Sequence, residues 1–155
     1  YQQNKKVRLV IGGKKAEPQY SALQEKIMSL GLEELVYFPG WIDRVDDFFA
    51  EIDVFVLASR HDEGYGLVVA EAMVRELPVV ITASGGAVEI VDEGINGFIV
   101  PKSNPTTMAE KLGVMAADAN LRQQMGKAGR NKIIAAFDLK KQALILNEQL
   151  RSLSN

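Results

Sequence analysis

Two carboxylates, Glu63 and Glu71, bracket a pair of glycines in the stretch HDEGYGLVVAEAM, His61 to Met73. Gly64 and Gly66 stand where a helical pattern begins. Glycines there let backbone N–H groups approach a ligand closely, and a helix N-terminus favours an anion. A phosphate or pyrophosphate suits that chemistry; a tight strand-to-helix turn explains the same glycines. Glu71 lies among Val68, Val69, Ala70, Ala72, Met73 and Val74. A helix apolar almost all round is expected to be buried, and a buried carboxylate needs a partner because an unpaired charge is costly. Two sugar hydroxyls donating to its two oxygens would supply one, and Arg75, one turn on, would supply another. Glu63, in the loop ahead of the glycines, can accept hydrogen bonds from hydroxyls or stabilise positive charge in a transition state. It can equally be a solvated loop acid. His61 has no partner acid or nucleophile pattern and is expected at a structural or rim position.

Short runs rich in Val and Ile alternate with helix-like segments. Strands are expected over 7–13, 35–40, 53–59, 77–83 and 97–101. Helices are expected over 18–30, closed by Gly31, over 43–50 with Asp43 as N-cap, and over 67–75 and 87–92. The pattern is helical from Thr106 onward, broken near Asp118 and again near Phe137 and Asp138, which caps a last helix. The strand runs are continuously apolar, the signature of strands covered on both faces. Strand–helix units with short connections imply right-handed crossovers and a parallel sheet. The fold class is therefore α/β, a Rossmann-like doubly wound parallel sheet with helices on both faces. Ligands of such sheets sit beyond the carboxyl ends of the strands, and the loop over 59–66 is the richest there. Ser84, Gly85 and Gly86 either line that cleft or open the next helix.

Composition excludes several function classes. The 155 residues fit one compact domain, taken here as 1–155. A net charge of −2 argues against an electrostatic nucleic-acid binder. The absence of cysteine removes disulfides, thiolate metal sites and cysteine nucleophiles, and an intracellular setting fits it. No uncharged apolar run is long enough for a transmembrane helix. There is no D-x-D pair, and one histidine cannot make a histidine cluster, so no metal is expected. IGGKKAEP is not G-x-G-x-x-G, and no acid ends the next strand, which argues against a dinucleotide-dependent oxidoreductase.

Glu63 and Glu71 resemble the E-x7-E motif of retaining glycosyltransferases of group 1, also called family 4, which have the GT-B fold. The ordered context strengthens the likeness: DVFVLASRHDEGYGLVVAEAM is followed by LPVVITASGGAVEIVDEGINGFIVP, where the family has EGFGL…EAM, PVV, GG…E and G…G…V-P. VRLVIGG and VYFPGW resemble its other strand-end signatures, so the likeness runs from about Val7 to the C-terminus. It implies that Glu71 binds the donor ribose hydroxyls and that Glu63 contacts the transferred sugar as the catalytic acid. It implies that Gly64, Tyr65, Gly66 and Leu67 cradle the sugar and diphosphate. Trp41 and Ile42 then occupy the loop that holds the nucleobase, largely through main-chain contacts, and Gly12 and Gly13 match the glycine turn after the preceding strand.

The family also carries an upstream Arg and Lys that neutralise the donor diphosphate, and nothing before Val7 matches that segment. The chain is thus expected to be the C-terminal, donor-binding half of a two-domain enzyme, a fragment lacking its own first strand and the N-terminal acceptor domain. Alone it is expected to be inactive. Lys14, Lys15 and Arg60 are the cations near enough in sequence to take some of the diphosphate charge. The implied reaction transfers a sugar from a nucleoside-diphosphate donor to a sugar, lipid-linked or polysaccharide acceptor, with retention and without a cofactor or metal. The setting is cell-envelope or exopolysaccharide synthesis, cytoplasmic at the inner face of the membrane. An epimerase-like domain and a non-catalytic nucleotide-binding module are the alternatives.

Overall fold

The computed structural model describes residues 7–61, 64, 66–137 and 139–153. Parallel strands alternate with helices, and the chain forms two compact units, Tyr1–Glu51 and Ile52–Asn155. The expected α/β class is observed, with strand pairing parallel throughout the described residues.

In the first unit, β1 (Leu9–Gly12) pairs with β2 (Val36–Gly40), Leu9 opposite Val36 and Gly12 opposite Gly40. The crossover is helix α1 (Gln19–Ser29), followed by a single 3-10 turn over Glu33–Leu35. α1 stops where Gly31 adopts φ 63°, with the Gly31 amide on Met28 O and the Leu32 amide on Ile27 O. That double closure is a Schellman motif, and its left-handed position suits glycine. The short helix α2 (Val45–Ala50) follows β2 and buries Phe49. Asp43 does not cap it. The residue preceding the helix is Arg44, and no side chain bonds to the first-turn amides. Asp43 lies one residue too early to reach them, and Arg44 instead pairs with Asp47 at 2.8 Å on the exposed surface.

The second unit holds β3 (Phe55–Leu57), β4 (Val79–Thr82) and β5 (Gly97–Val100), in the order β3-β4-β5. All four residues of β4 are buried. Successive side chains point to opposite faces, so β4 is covered on both. Val80, Phe98 and Val100 pack with Met115 and Met125 in one apolar cluster. The strands themselves are shorter than the apolar runs that contain them, because pairing ends before the runs do.

Helices α3 (Leu67–Val74) and α4 (Ala87–Ile90) follow β3 and β4. Three more close the chain, α5 (Pro105–Ala117), α6 (Ala119–Ala136) and α7 (Leu139–Leu153). α6 lies close against α3: a Cβ on Gly126 would overlap the Glu76 carbonyl oxygen, and one on Gly129 would touch Met73. The Arg130 guanidinium donates to the Val74 carbonyl at the end of α3. Met125 and Ile133 are buried on α6, while Ile134 is half exposed; Gly126 and Gly129 make the close contact with the end of α3. On α7, Leu144, Leu146 and Leu150 are exposed. Asp138, expected to cap α7, lies outside the described residues.

Sequence breaks at caps are well explained locally. Asn104 Oδ1 accepts from the Thr107 amide with Pro105 in the first turn of α5, and Asp118 Oδ1 accepts from the Leu121 amide at the start of α6. Asp118→Ala removes that acceptor and is expected to cost about 1 kcal/mol, a fall in Tm of about 2–4 °C. A thermal scan against the parent chain reads it; an unchanged Tm would show that the cap does not hold α6 in place.

Candidate functional site

After β3, His61 and Gly64 are bonded to residues of the turn from β4 into α4. Ser84, only 2% exposed, donates from Oγ to the His61 carbonyl at 2.6 Å. The Gly86 amide donates to the Gly64 carbonyl at 2.8 Å. Gly66 precedes α3 with φ 70°, and a Cβ on it would lie 2.7 Å from Ala87 Cβ. Glycine is therefore required there twice, for its backbone angle and for its close neighbour. Among the described residues no side chain caps the first turn of α3. The Val69 amide donates back to the Gly66 carbonyl at 2.8 Å, and the first-turn amides carry the positive end of the helix dipole. Leu67 is exposed beside them.

Glu71 differs from its expected setting. α3 buries Val69, Ala72 and Met73 along one side only, while Leu67, Val68 and Glu71 are exposed. Uniform apolarity along a helix does not show which of its sides is covered. The Arg75 alternative is also not realised through the carboxylate: Arg75 Nη1 donates to the Glu71 backbone carbonyl at 2.7 Å. Among the described residues the Glu71 carboxylate has no ion-pair partner, which leaves it open to hydroxyl donors.

A second group lies in the first unit at the ends of β1 and β2. The Gly13 amide donates to the Gly40 carbonyl at 2.8 Å, tying the two strand-end loops. A Cβ on Gly12 would meet Ile42 Cγ1 at 3.1 Å and the Phe48 ring at 3.3 Å. Trp41 is 65% exposed, and the Lys14 ammonium sits 5.3 Å from its ring centroid. Lys15 stands over Tyr20 at 5.1 Å, and Tyr20 meets Phe38 edge-on at 5.2 Å. A cleft of about 160 Å³ opens there, lined by Gly12, Gly13, Lys14, Lys15, Gln19 and Tyr20 with Ile11, Ala16, Leu23 and Phe38.

The structure thus brings Gly12, Gly13, Trp41 and Ile42 together in one unit and Gly64, Gly66, Leu67 and Glu71 in the other. Glu63 and Tyr65 lie outside the described residues, as does Asp62. His61 is exposed, as expected of a rim residue. Ser84 was open between cleft lining and turn; its burial and its bond to His61 make it a tie between loops, which no local pattern in the sequence signals. Lys14 faces Trp41, a contact created where the ends of β1 and β2 meet, while Lys15 faces Tyr20 of α1, five residues on. Among the described residues no group of acids and histidines is placed to hold a metal ion, and no helix is long and apolar enough to cross a membrane.

Parallel strands alternating with helices, with a glycine leading from a strand end into α3, define an α/β domain. The chain belongs to the glycosyl transferases group 1 family, whose model matches residues 1–132. It is 36% identical over 108 residues to a capsular polysaccharide biosynthesis glycosyltransferase of Staphylococcus aureus, covering 70% of this chain and 27% of that protein. It is 32% identical over 115 residues to a lipopolysaccharide core biosynthesis glycosyltransferase of Rhizobium meliloti, covering 74% and 34%. The chain therefore spans about a third or less of these curated relatives. Among solved structures it matches Anabaena HepE in complex with UDP-glucose, with TM-score 0.86 and 27% identity over 96% of this chain and 42% of that one. It shares its fold with the C-terminal domain of a group 1 glycosyl transferase family protein from Francisella tularensis, with TM-score 0.74 and 23% identity over 88% of this chain and 90% of that one. The expected group 1 glycosyltransferase membership is borne out, and so is the α/β fold.

Proposed function

We propose that this chain is the donor-binding, C-terminal part of a retaining glycosyltransferase. The full-length protein moves a sugar from a nucleoside-diphosphate donor to an acceptor in cell-envelope or exopolysaccharide synthesis. The likeness to HepE, crystallised with UDP-glucose, over 96% of this chain is the observation that carries the reading. The S. aureus and R. meliloti relatives, by their names, support the polysaccharide setting.

In this reading the bond from the sugar's anomeric carbon to the β-phosphate oxygen breaks, and a bond to an acceptor oxygen forms on the same face. The nucleoside diphosphate departs with the bonding pair, and its leaving oxygen takes up the acceptor's proton. The α3 amides stabilise the charge growing on that diphosphate, a contribution largest where charge develops. Glu71, exposed on α3, accepts from the ribose hydroxyls. Glu63 faces the transferred sugar and offsets positive charge at its anomeric carbon. The loop bearing Trp41 and Ile42, tied to Gly13 through Gly40, receives the base. No step is routed through a metal. Acceptor binding belongs to sequence outside this chain, so the isolated chain is expected to show no turnover.

Calorimetric titration of the full-length protein with UDP-, GDP- and ADP-linked sugars tests the reading. Saturable binding of one base class is expected, with no transfer by residues 1–155 alone. Binding of none of the three would contradict it.

A further inference from the structure

We infer that Ser84 is a positioning residue for the donor site: from the turn after β4 it fixes the backbone of the turn after β3 that leads into the anion-facing end of α3. The inference rests on the donor-binding reading above. Three ties join the segment 84–87 to that turn. Ser84 Oγ holds the His61 carbonyl at 2.6 Å, the Gly86 amide holds the Gly64 carbonyl at 2.8 Å, and Ala87 stands against Gly66. They fall at His61, Gly64 and Gly66. A backbone with glycines at 64 and 66 has little conformational preference of its own, so its shape is set by what it is tied to.

The sheet beneath does not depend on Ser84. β3 and β4 pair through their own ladder, and Thr82 Oγ1 separately donates to the Ser59 carbonyl at 2.9 Å. Losing the Ser84 hydroxyl therefore releases the His61 carbonyl, one of the three ties, without unlocking the strands. That carbonyl is left without this donor, so the turn is expected to move to recover one. Ser84 touches no substrate in this account; it acts on the donor through the position of Gly64, Gly66 and the first amides of α3.

The test uses the full-length protein carrying Ser84→Ala. The readouts are Kd for UDP, GDP or ADP, whichever matches the donor that binds the parent, donor KM and kcat, and amide hydrogen exchange. We expect nucleotide Kd and donor KM to rise about tenfold, the factor that one buried hydrogen bond carries. Exchange is expected to speed up over 59–66 while β4 keeps its parental protection. Parental Kd and KM would overturn the inference. So would an unfolded variant, or exchange that rises equally across β4, since either would make Ser84 simply structural. If the parent protein binds no sugar nucleotide, the donor reading fails instead, and the exchange pattern still reports separately on whether Ser84 fixes the turn.

Discussion

Replacing Glu63 by Gln in the full-length protein is expected to lower kcat about 10²- to 10³-fold, the range seen when one preorganised electrostatic contact to a transition state is removed. The substitution keeps the size and a hydrogen-bonding oxygen and removes the negative charge. If that charge acts on positive charge developing at the anomeric carbon, its loss appears in the transition state and not in ground-state binding. Donor KM should therefore stay within about threefold, since a loss confined to the transition state lowers kcat and kcat/KM together. Initial rates over a range of donor concentrations read both constants. A variant with parental kcat would mean that Glu63 is a solvated loop acid and that the chemistry lies elsewhere.

The second large effect is expected at Gly66. Valine there must adopt φ 70° and place its Cβ 2.7 Å from Ala87 Cβ and 3.3 Å from Ala87 Cα. The left-handed backbone costs a residue with a Cβ about 1–2 kcal/mol, and forcing extra atoms into a packed contact costs about 1–3 kcal/mol more. Gly66→Val is therefore expected to lower Tm by about 4–20 °C, at about 2–4 °C per kcal/mol. Because the strain falls on the turn that presents the α3 amides, nucleotide affinity should fall as well, measured below the variant's own melting temperature. A Tm within 2 °C of the parent, about the smallest shift 1 kcal/mol would give, would show that the turn relaxes freely and that Gly66 is not required.

Much of the fold was legible because apolar runs and breakers are local. Every strand run contains the observed strand, and Gly31, Asn104 with Pro105, and Asp118 mark helix ends by chemistry visible within four residues. What covers an element was not legible. α3 reads as apolar all round, yet it places Glu71 on its exposed side, because the same residue types serve a covered and an uncovered face. β1 and β2 read as fully covered strands, but their burial is only partial, while β4 fulfils the expectation at every position. Capping failed at Asp43 for a related reason: a one-residue offset in the start of α2 decides whether an acid reaches the free amides.

The candidate site was half legible. Gly64 and Gly66 announce a close backbone approach, and the structure supplies the neighbour, Ala87, that makes Gly66 necessary. The two acids were visible by spacing, but spacing alone leaves a sugar hydroxyl, an arginine and water equally good partners. The resemblance, not periodicity, favours the sugar hydroxyls in the proposed reading. Ser84 and Lys14 were invisible as site features, since each acts through a contact formed only when distant strand ends meet within its own unit.

The most direct test is product analysis by NMR after incubating the full-length protein with the sugar nucleotide it binds and a polysaccharide-precursor acceptor. The account predicts a new glycosidic bond whose anomeric coupling matches that of the donor, with one nucleoside diphosphate released per bond. A sugar that remains on its nucleotide with one centre inverted, a product of opposite anomeric configuration, or binding without any turnover would contradict it.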